Sequence, residues 1–433
     1  MNFVTLPFVP AKLSFALRSI LAWFCVLAAS LSIAQEQQPP EDTLEQTTES
    51  YIQDRRNEFG QCIGHLQSLA ASIGIADEIV TGVVGRLNFL PEVIELDRNQ
   101  PEFTQTFDEY ISGRVTGRRV ATGRRMMVQH KDLLAELTEK YGVPGQYLVA
   151  FWGLETNFGS YLGNTPTLDA LATLGCDPRR SEFFTNELMF ALRLMHEQSL
   201  DLAVMHGSWA GAVGHTQFMP SNYHRYAVDG DDDGRIDLWS SEEDALASAA
   251  NFLSALGWRA TERWGREVTL SPSFNFSESG RSHKKPITEW SRDGIVRADG
   301  LSLPALDMDA SIVLPAGHNG PVFAIYSNFD VIMSWNSSEY YAISVGHLAD
   351  RIAGGGGLVT KAPVGAPRLS RTLVMDVQSA LQVLGFDPNG IDGLFGSGTK
   401  GALKQFQQAY GLVPDGFLDQ QTLDSLLAKT ANP

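Results

Sequence analysis

The stretch PGQYLVAFWGLETNFG, residues 144–159, places one carboxylate on an otherwise apolar helical pattern. Its leading proline suits the first turn of a helix, where a fixed φ and a missing N–H are tolerated. Tyr147, Leu148 and Phe151 recur at helical spacing, and Glu155 continues the series, so we expect Glu155 to project from the same apolar stripe. The asparagine and glycine that follow favour a helix end soon after it.

An acid in that position has a specific chemical use. A carboxyl group on a buried or cleft-facing stripe is partly desolvated, and desolvation raises the pKa of an acid. The negative end of the helix dipole acts in the same direction. Cleavage of a glycosidic bond requires a carboxylic acid that stays protonated near neutral pH. Glu155 is therefore a candidate general acid, although the pattern alone also allows a glutamate neutralised by a buried arginine.

The composition is that of an ordinary globular chain. Its 433 residues are 43% hydrophobic and 19% charged, which suggests about two or three domains at about 150 residues each. The formal net charge of −17 argues against DNA, RNA or an anionic membrane as the main partner.

The N-terminus has the features of an export signal. Lys12 and Arg18 precede an apolar run at residues 20–34 that ends in small residues suited to signal-peptidase cleavage. The run is short for a membrane span of about 20 residues, so we favour a cleaved signal peptide, 1–34, over a permanent anchor. Cys25 lacks a convincing lipobox, so no lipoprotein is expected.

Composition changes along the chain divide it further. A Gln-, Glu- and Pro-rich stretch, 35–50, predicts a disordered tether, and 51–353 predicts a mostly helical domain with short strands at about 265–325. A glycine-rich linker, 354–369, precedes a small helical domain, 370–430. The predicted fold class is α+β, mainly α.

The small domain carries a weak internal repeat. The run that begins Asp392-Gly393 and reaches Thr399 is echoed by the run from Asp415-Gly416 to Thr422. Each copy predicts a tight turn followed by the start of a helix.

Several blocks together resemble the lytic murein transglycosylase B family, which is lysozyme-like. The run FWGLETNFG matches the family's G-x-E-T-x-[FYW]-G signature. The likeness continues, in order, through DALATL (169–174), PRR (178–180), SWAGAVGHTQFMP (208–220), NFD (328–330) and WNSSEYYA (335–342). The whole region of about 55–352 fits the family, and about 372–428 resembles the peptidoglycan-binding domain 1 family, a three-helix fold.

The resemblance implies that Glu155 is the only catalytic carboxylate and needs no cofactor. It would protonate the glycosidic oxygen between N-acetylmuramic acid and N-acetylglucosamine. The ionised carboxylate would then assist attack of the muramic C6 hydroxyl on C1, which yields a 1,6-anhydro sugar instead of the products of the usual two-carboxylate scheme. A water-using muramidase and a catalytically weak wall-binding scaffold are the alternatives.

The resemblance also implies a set of side chains that contact the acid or the substrate: Ser208, Gln217, Trp335, Asn336, Tyr341, Arg179 and Arg180. Trp335 stands where relatives often carry tyrosine, and an indole can stack on a sugar. The two arginines could hold a substrate carboxylate by forked hydrogen bonds, or form a structural salt bridge. Gln217 could instead be a cap or core amide, and His215 lines the cleft at most.

An acidic loop predicts a structural calcium site. Carboxylates at loop positions 1, 3 and 5, a glycine at 6 and a backbone carbonyl at 7 suit a hard cation. Position 12 is Ser240 instead of a bidentate glutamate, and the resemblance implies closure by a later acid. The predicted ligands are Asp229, Asp231, Asp233, Arg235 through its carbonyl, and Asp244. An acidic turn without an ion is the alternative.

Export also bears on the cysteines. Cys62 and Cys176 remain after signal cleavage and can form one disulfide, although two buried thiols would also fit. We expect a monomer in the periplasm of a Gram-negative bacterium. Its partner would be the glycan strands of peptidoglycan, with cell-wall synthesis proteins as further candidates and no nucleic acid.

Overall fold

The computed structural model describes residues 41–98, 105–198, 200–363 and 365–431, with side chains described from residue 49 onward. Residues 51–433 form one compact unit. The predicted signal peptide, Cys25 and residues 35–40 of the predicted tether lie outside the described residues. From Glu41 the chain is helical, so the expectation of a disordered tether does not hold for residues 41–50. The glutamates and glutamines of this stretch are strong helix formers.

Helices dominate the described chain. Those of the large domain are Glu41–Ser72, Asp77–Gly82, Pro91–Arg98, Phe107–Arg114, Gly117–Gln129, Lys131–Tyr141, Gly145–Thr156, Thr167–Gly175, Ser181–Glu197, Pro220–Tyr226, Glu242–Ala255, Ile287–Arg292, Ser327–Trp335 and Glu339–Ile352. Short 3-10 turns occupy Val84–Arg86 and Phe276–Glu278. The small domain has helices Arg371–Val383, Ser397–Ala409 and Gln420–Ala431.

Strands are few and antiparallel. Thr165–Pro166 pairs with His206–Gly207. A five-stranded sheet runs in the order Lys285–Pro286, Asp309–Val313, Val322–Ile325, Gly265–Thr269 and Val296–Arg297. This sheet covers its own apolar cluster, which includes Trp290 and Ile312. The prediction of a mainly helical α+β chain with a small β-containing insertion is confirmed.

The helix Gly145–Thr156, here named the central helix, is buried on nearly all sides. Val149, Ala150 and Trp152 are as fully buried as Phe151, so the apolar surface is not the single stripe that the spacing suggested. A helix that is apolar all round must be enclosed by other elements. Here the main neighbour is the helix Glu339–Ile352, named the cover helix. Within this helix only Gln146, Leu154 and Glu155 are half-buried.

A second apolar cluster joins the N-terminal helix to Thr167–Gly175 and Ser181–Glu197. Cys62 and Cys176 are linked there by a disulfide, with their Cα atoms 5.9 Å apart. The bond connects positions 114 residues apart in sequence. It therefore fixes the N-terminal helix to the part of the chain that follows the central helix.

In the small domain, the first copy of the repeat is organised by a buried amide. Gln378 donates from Nε2 to Asp392 Oδ1 at 2.9 Å and to Thr399 Oγ1 at 3.0 Å. Its Oε1 accepts from the backbone N–H of Gly393, whose φ of 75° favours glycine. The amide thus ties the turn to the helix that follows it.

The second copy repeats this network. Gln407 donates from Nε2 to Asp415 Oδ1 at 3.1 Å and to Thr422 Oγ1 at 3.4 Å, and accepts from the N–H of Gly416 at 2.8 Å. The repeat read from the sequence is therefore a repeat of structure, built on one glutamine that precedes each copy in the chain.

The predicted linker lies against the large domain in its described part. The backbone N–H groups of Val359 and Thr360 each donate to the carboxylate of Glu267 at 2.7 Å. Leu358 packs against the core that surrounds the central helix. Residues 358–360 are thus held in place and are not a free tether.

Among the described residues, helices that combine the length and the apolar character needed to cross a membrane are absent.

Close packing between the cover helix and the sheet gives a stability prediction. A methyl group at Gly346 would overlap the buried indole of Trp264, which is tied to Asp350 by a hydrogen bond of 3.0 Å. We expect Gly346→Ala to destabilise the fold by about 1–3 kcal/mol, as overpacking does. Urea denaturation measures this. Gly113→Ala, at a helical glycine with open space around it, is the control and should not lower the midpoint. Equal midpoints for both variants would contradict the packing argument.

Candidate active site

The site centres on the carboxylate of Glu155 in the last turn of the central helix. Its Oε1 accepts a hydrogen bond from the indole Nε1–H of Trp335 at 3.0 Å. The same oxygen accepts a hydrogen bond from the phenol O–H of Tyr341. Trp335 precedes the turn 336–338 and Tyr341 follows it. Their two hydrogen bonds therefore fix the orientation of the Glu155 carboxylate.

Trp335 is held by aromatic packing. Its ring lies 4.5 Å from that of Phe151, 5.2 Å from Phe252 and 5.4 Å from Phe218, measured between centroids. The sequence suggested an indole that stacks on a sugar. In the structure its N–H binds Glu155, so Trp335 positions the acid. The ring is half-buried, and its stacking on a sugar remains a prediction.

Tyr341 is buried at the start of the cover helix. Burial, reinforced by the negative charge of Glu155, raises the pKa of Tyr341 well above its usual value. The phenol therefore stays protonated and remains a donor at neutral pH. Ser338 Oγ caps the helix by accepting from the N–H of Tyr341, and Asn336 Oδ1 accepts from the N–H of Ser338. Asn336 thus shapes the turn that presents Tyr341.

The chain leaves the central helix through left-handed backbone conformations. Asn157, Phe158 and Gly159 have φ values of 51°, 61° and 73°. Residues other than glycine pay about 1–3 kcal/mol in such sparsely populated conformations, which persist only when their surroundings enforce them. Thr156 supplies part of that enforcement, because its hydroxyl donates to the carbonyl of His215 at 2.7 Å and accepts from the N–H of Gly159.

His215 supports the turn from below. Its Nδ1 accepts from the indole N–H of Trp152 at 3.0 Å, and its own backbone N–H donates to Leu238 O. Burial lowers the pKa of His215, which favours the neutral ring that can accept this bond. A side chain at Gly159 would overlap the imidazole. His215 is 7% exposed and is a structural support, a role that the sequence did not reveal.

The glycine-rich loop packs against the turn beyond the acid. A Cβ at Gly163 would overlap the carbonyl of Gly207, so the two segments approach backbone to backbone. Ser208 Oγ accepts from the N–H of Ala212 at 3.1 Å, which closes a turn within the loop. The implied contacts of Ser208 with substrate remain a prediction.

Gln217 links the loop to the same turn. Its Nε2 donates to Leu162 O at 3.0 Å and to Gly214 O at 2.9 Å. Both amide protons thus bind backbone carbonyls, as expected if Gln217 is a cap or core amide. A substrate contact from this side chain would use Oε1 as an acceptor.

Arg179 and Arg180 both pair with Asp97. Arg179 Nε lies 2.8 Å from Asp97 Oδ2, and Arg180 binds Oδ1 of the same carboxylate. Asp97 is only 4% exposed, so its charge requires such partners. These contacts favour the structural salt bridge over a site for a substrate carboxylate.

The acidic loop brings three of its predicted ligands together. Carboxylate oxygens of Asp229, Asp231 and Asp244 lie within 4.8 Å of one another. Burial raises the pKa of Asp244, and the charges of the two other aspartates add to the effect. Asp233 lies outside this group, and its Oδ1 accepts from the N–H of Arg235 at 2.8 Å.

Comparison with known families places both domains. The Transglycosylase SLT domain family matches residues 58–350, and a peptidoglycan binding domain family matches residues 370–426. The first match covers more than half of the chain and includes Glu155, Trp335 and Tyr341.

Individual relatives agree with this assignment. The chain is 34% identical over 241 residues to membrane-bound lytic murein transglycosylase B of Escherichia coli, an alignment that covers 55% of this chain and 65% of that protein. The crystal structure of SltB3 from Pseudomonas aeruginosa in complex with NAG-anhNAM-pentapeptide is 39% identical, with a TM-score of 0.80, over 85% of this chain and 99% of that one. Escherichia coli Slt35 in complex with calcium is 30% identical, with a TM-score of 0.59, over 67% of this chain and 92% of that one.

The extent of the family match, its ordered coverage of the large domain and the agreement in fold lead to one conclusion: the chain belongs to the Transglycosylase SLT domain family and carries a C-terminal peptidoglycan-binding domain.

Proposed function

We propose that the protein is a lytic transglycosylase, which cleaves the bond between N-acetylmuramic acid and N-acetylglucosamine in peptidoglycan and closes a 1,6-anhydro ring. The observation that carries this proposal is the half-buried carboxylate of Glu155, oriented by Trp335 and Tyr341 within a family match to transglycosylases. The solved complexes of SltB3 with NAG-anhNAM-pentapeptide and NAG-NAM-pentapeptide support the same substrate class.

The hydrogen bonds indicate which oxygen of Glu155 carries the acidic proton. Oε1 accepts from both Trp335 and Tyr341, so a proton on that oxygen would face two donors. The proton therefore belongs on Oε2. From there it passes to the glycosidic oxygen as the C1–O bond breaks, and the N-acetylglucosamine fragment leaves with a hydroxyl group.

The same carboxylate then completes the reaction as a base. Once ionised, Glu155 takes the proton of the muramic C6 hydroxyl as O6 bonds to C1. This returns the acid to its starting state and consumes no water. Trp335 and Tyr341 stabilise the intervening carboxylate, because hydrogen bonds to an ionised acceptor are stronger than those to a neutral one.

We also propose that the acidic loop binds calcium as a structural ion. Asp229, Asp231 and Asp244 offer clustered hard oxygen ligands, and a cation would offset the repulsion among them. The carbonyl of Arg235 and the carboxylate of Asp233 would complete the set. The calcium complex of Slt35 supports the proposal.

Finally, we propose that the protein acts in the periplasm after export. The charged and apolar pattern of residues 1–34 supports this location. The disulfide between Cys62 and Cys176 suits an oxidising compartment. The peptidoglycan-binding domain would hold the enzyme on the wall.

Replacement of the acid tests the central proposal. We expect Glu155→Gln to lower the release of anhydromuropeptides from purified sacculi at least about 100-fold, because the amide cannot donate the proton. Mass spectrometry identifies the products. Glu139→Gln, at an exposed glutamate of another helix, should leave activity unchanged. Undiminished activity of the Glu155 variant would refute the mechanism, and reducing-end products from the unmodified protein would indicate a water-using muramidase.

Tyr341→Phe tests the role of the phenol donor. Loss of a hydrogen bond to the carboxylate favours its protonated form. A general acid becomes inactive when pH rises enough to remove its proton, so the alkaline limb of the pH–rate profile should move to higher pH by about one unit. Tyr340→Phe is the control, because that hydroxyl donates to Pro315 O. An unmoved limb in the Tyr341 variant would show that the phenol does not tune the acid.

Calcium binding should appear as a gain in stability. A ligand at 100 times its Kd adds about 2.7 kcal/mol to the free energy of unfolding, so the melting temperature should rise with calcium and fall with a chelator. Asp244→Asn should abolish this dependence. Asp232→Asn removes the same charge from the same loop outside the cluster and should retain it. A melting temperature indifferent to calcium in the unmodified protein would refute the site.

A further inference from the structure

A cavity of about 560 Å³ lies between the large domain and the peptidoglycan-binding domain. Arg281 and Ser338 contribute to its wall from the large domain, and Lys400, Lys404 and Phe395 from the small domain. Its size falls within the range of about 300–1,000 Å³ typical of small-ligand sites. We propose that this cavity binds the carboxylates of the stem peptide carried by muramic acid, a role that rests on the proposed function.

The charges in the wall favour an anion. Most of its ionic groups are already paired: Arg281 with Asp330, Lys400 with Glu339, and Asp415 with His318. The lining holds three cationic side chains, Arg281, Lys400 and Lys404, against the two carboxylates of Glu339 and Asp415. One positive charge is therefore in excess, in a protein whose formal net charge is −17.

Lys404 binds only uncharged oxygen atoms among the described residues. Its Nζ donates to the carbonyl and the hydroxyl of Ser279, each at 2.7 Å, and more weakly to Phe276 O at 3.5 Å. Burial lowers the pKa of Lys404, the negative charge of Asp415 opposes this effect, and the positive charge of Lys400 adds to it. A bound carboxylate would add a counter-charge in direct contact with the ammonium group and take up the third, weakly used proton.

The cavity and the acid share one piece of chain. Ser337 and Ser338 line the cavity, while Trp335 and Tyr341, which flank them in sequence, bind Glu155. The residues on either side of the turn 336–338 thus contact the acid, and residues within the turn line the cavity. A short segment of chain therefore connects the acid to the wall of the cavity, and the proposal takes the muramic substituent along it.

Calorimetric binding of two glycan fragments tests the proposal. The probes are NAG-NAM-pentapeptide and the same disaccharide without peptide. We expect the unmodified protein to bind the peptide form more tightly. Lys404→Met should raise the Kd of that form about tenfold and leave the bare disaccharide unchanged, since the variant loses a charge-assisted hydrogen bond to the peptide carboxylate. Lys404→Arg keeps the charge and should bind nearly as the unmodified protein does.

The controls separate this role from domain docking. Lys131→Met removes an exposed positive charge of the large domain that does not line the cavity, and it should change neither Kd. An equal loss of affinity for both fragments in Lys404→Met would show that the lysine only joins the domains, and would overturn the proposal. Equal affinity of the unmodified protein for both fragments would also overturn it. Anhydro products from sacculi report separately on the proposed function.

Discussion

The contact between the carboxylate of Glu155 and the buried phenol of Tyr341 ties the active site to the core. It joins residues 186 positions apart, so it exists only when the central helix and the cover helix pack correctly. The bond from Trp335 depends on the same packing through Phe151. A carboxylate in this place is costly to desolvate, and its donors offset that cost. The orientation of the Glu155 carboxylate therefore depends on the same packing that stabilises the pair of helices.

Strain is concentrated directly after the acid. Asn157 and Phe158 adopt left-handed conformations that a free chain would avoid, and Thr156 holds them through His215. The neutral imidazole is in turn fixed by the indole N–H of Trp152, which lies about one turn before Thr156 in the same helix. Hydrogen bonds within the protein thus decide where the helix stops, and the helix end decides where the carboxylate points.

The features that could be predicted from the sequence are those encoded by neighbouring residues. The candidate acid, the fold class and the repeat of the small domain follow from spacing and motif, because each is encoded within a few turns of chain. Partners distant in sequence were harder to predict. Arg179 and Arg180 match a motif, but the buried charge of Asp97, which lies 82 and 83 positions earlier, decides what they bind. Spacing alone likewise does not show that the indole N–H of Trp335 donates to Glu155, 180 positions away in sequence.

Asp415, a buried carboxylate of the small domain, has hydrogen-bond partners both in its own domain and in the large domain. Asp415 uses Oδ1 to close its own turn with Gln407, as Asp392 does with Gln378 in the first copy. Its Oδ2 accepts from both the backbone N–H and Nδ1 of His318 in the large domain, at 2.9 and 2.7 Å. One buried carboxylate therefore holds the fold of the module and its attachment together. The contact with His318 thus attaches the module to the large domain, so that its residues form one wall of the cavity between the two domains.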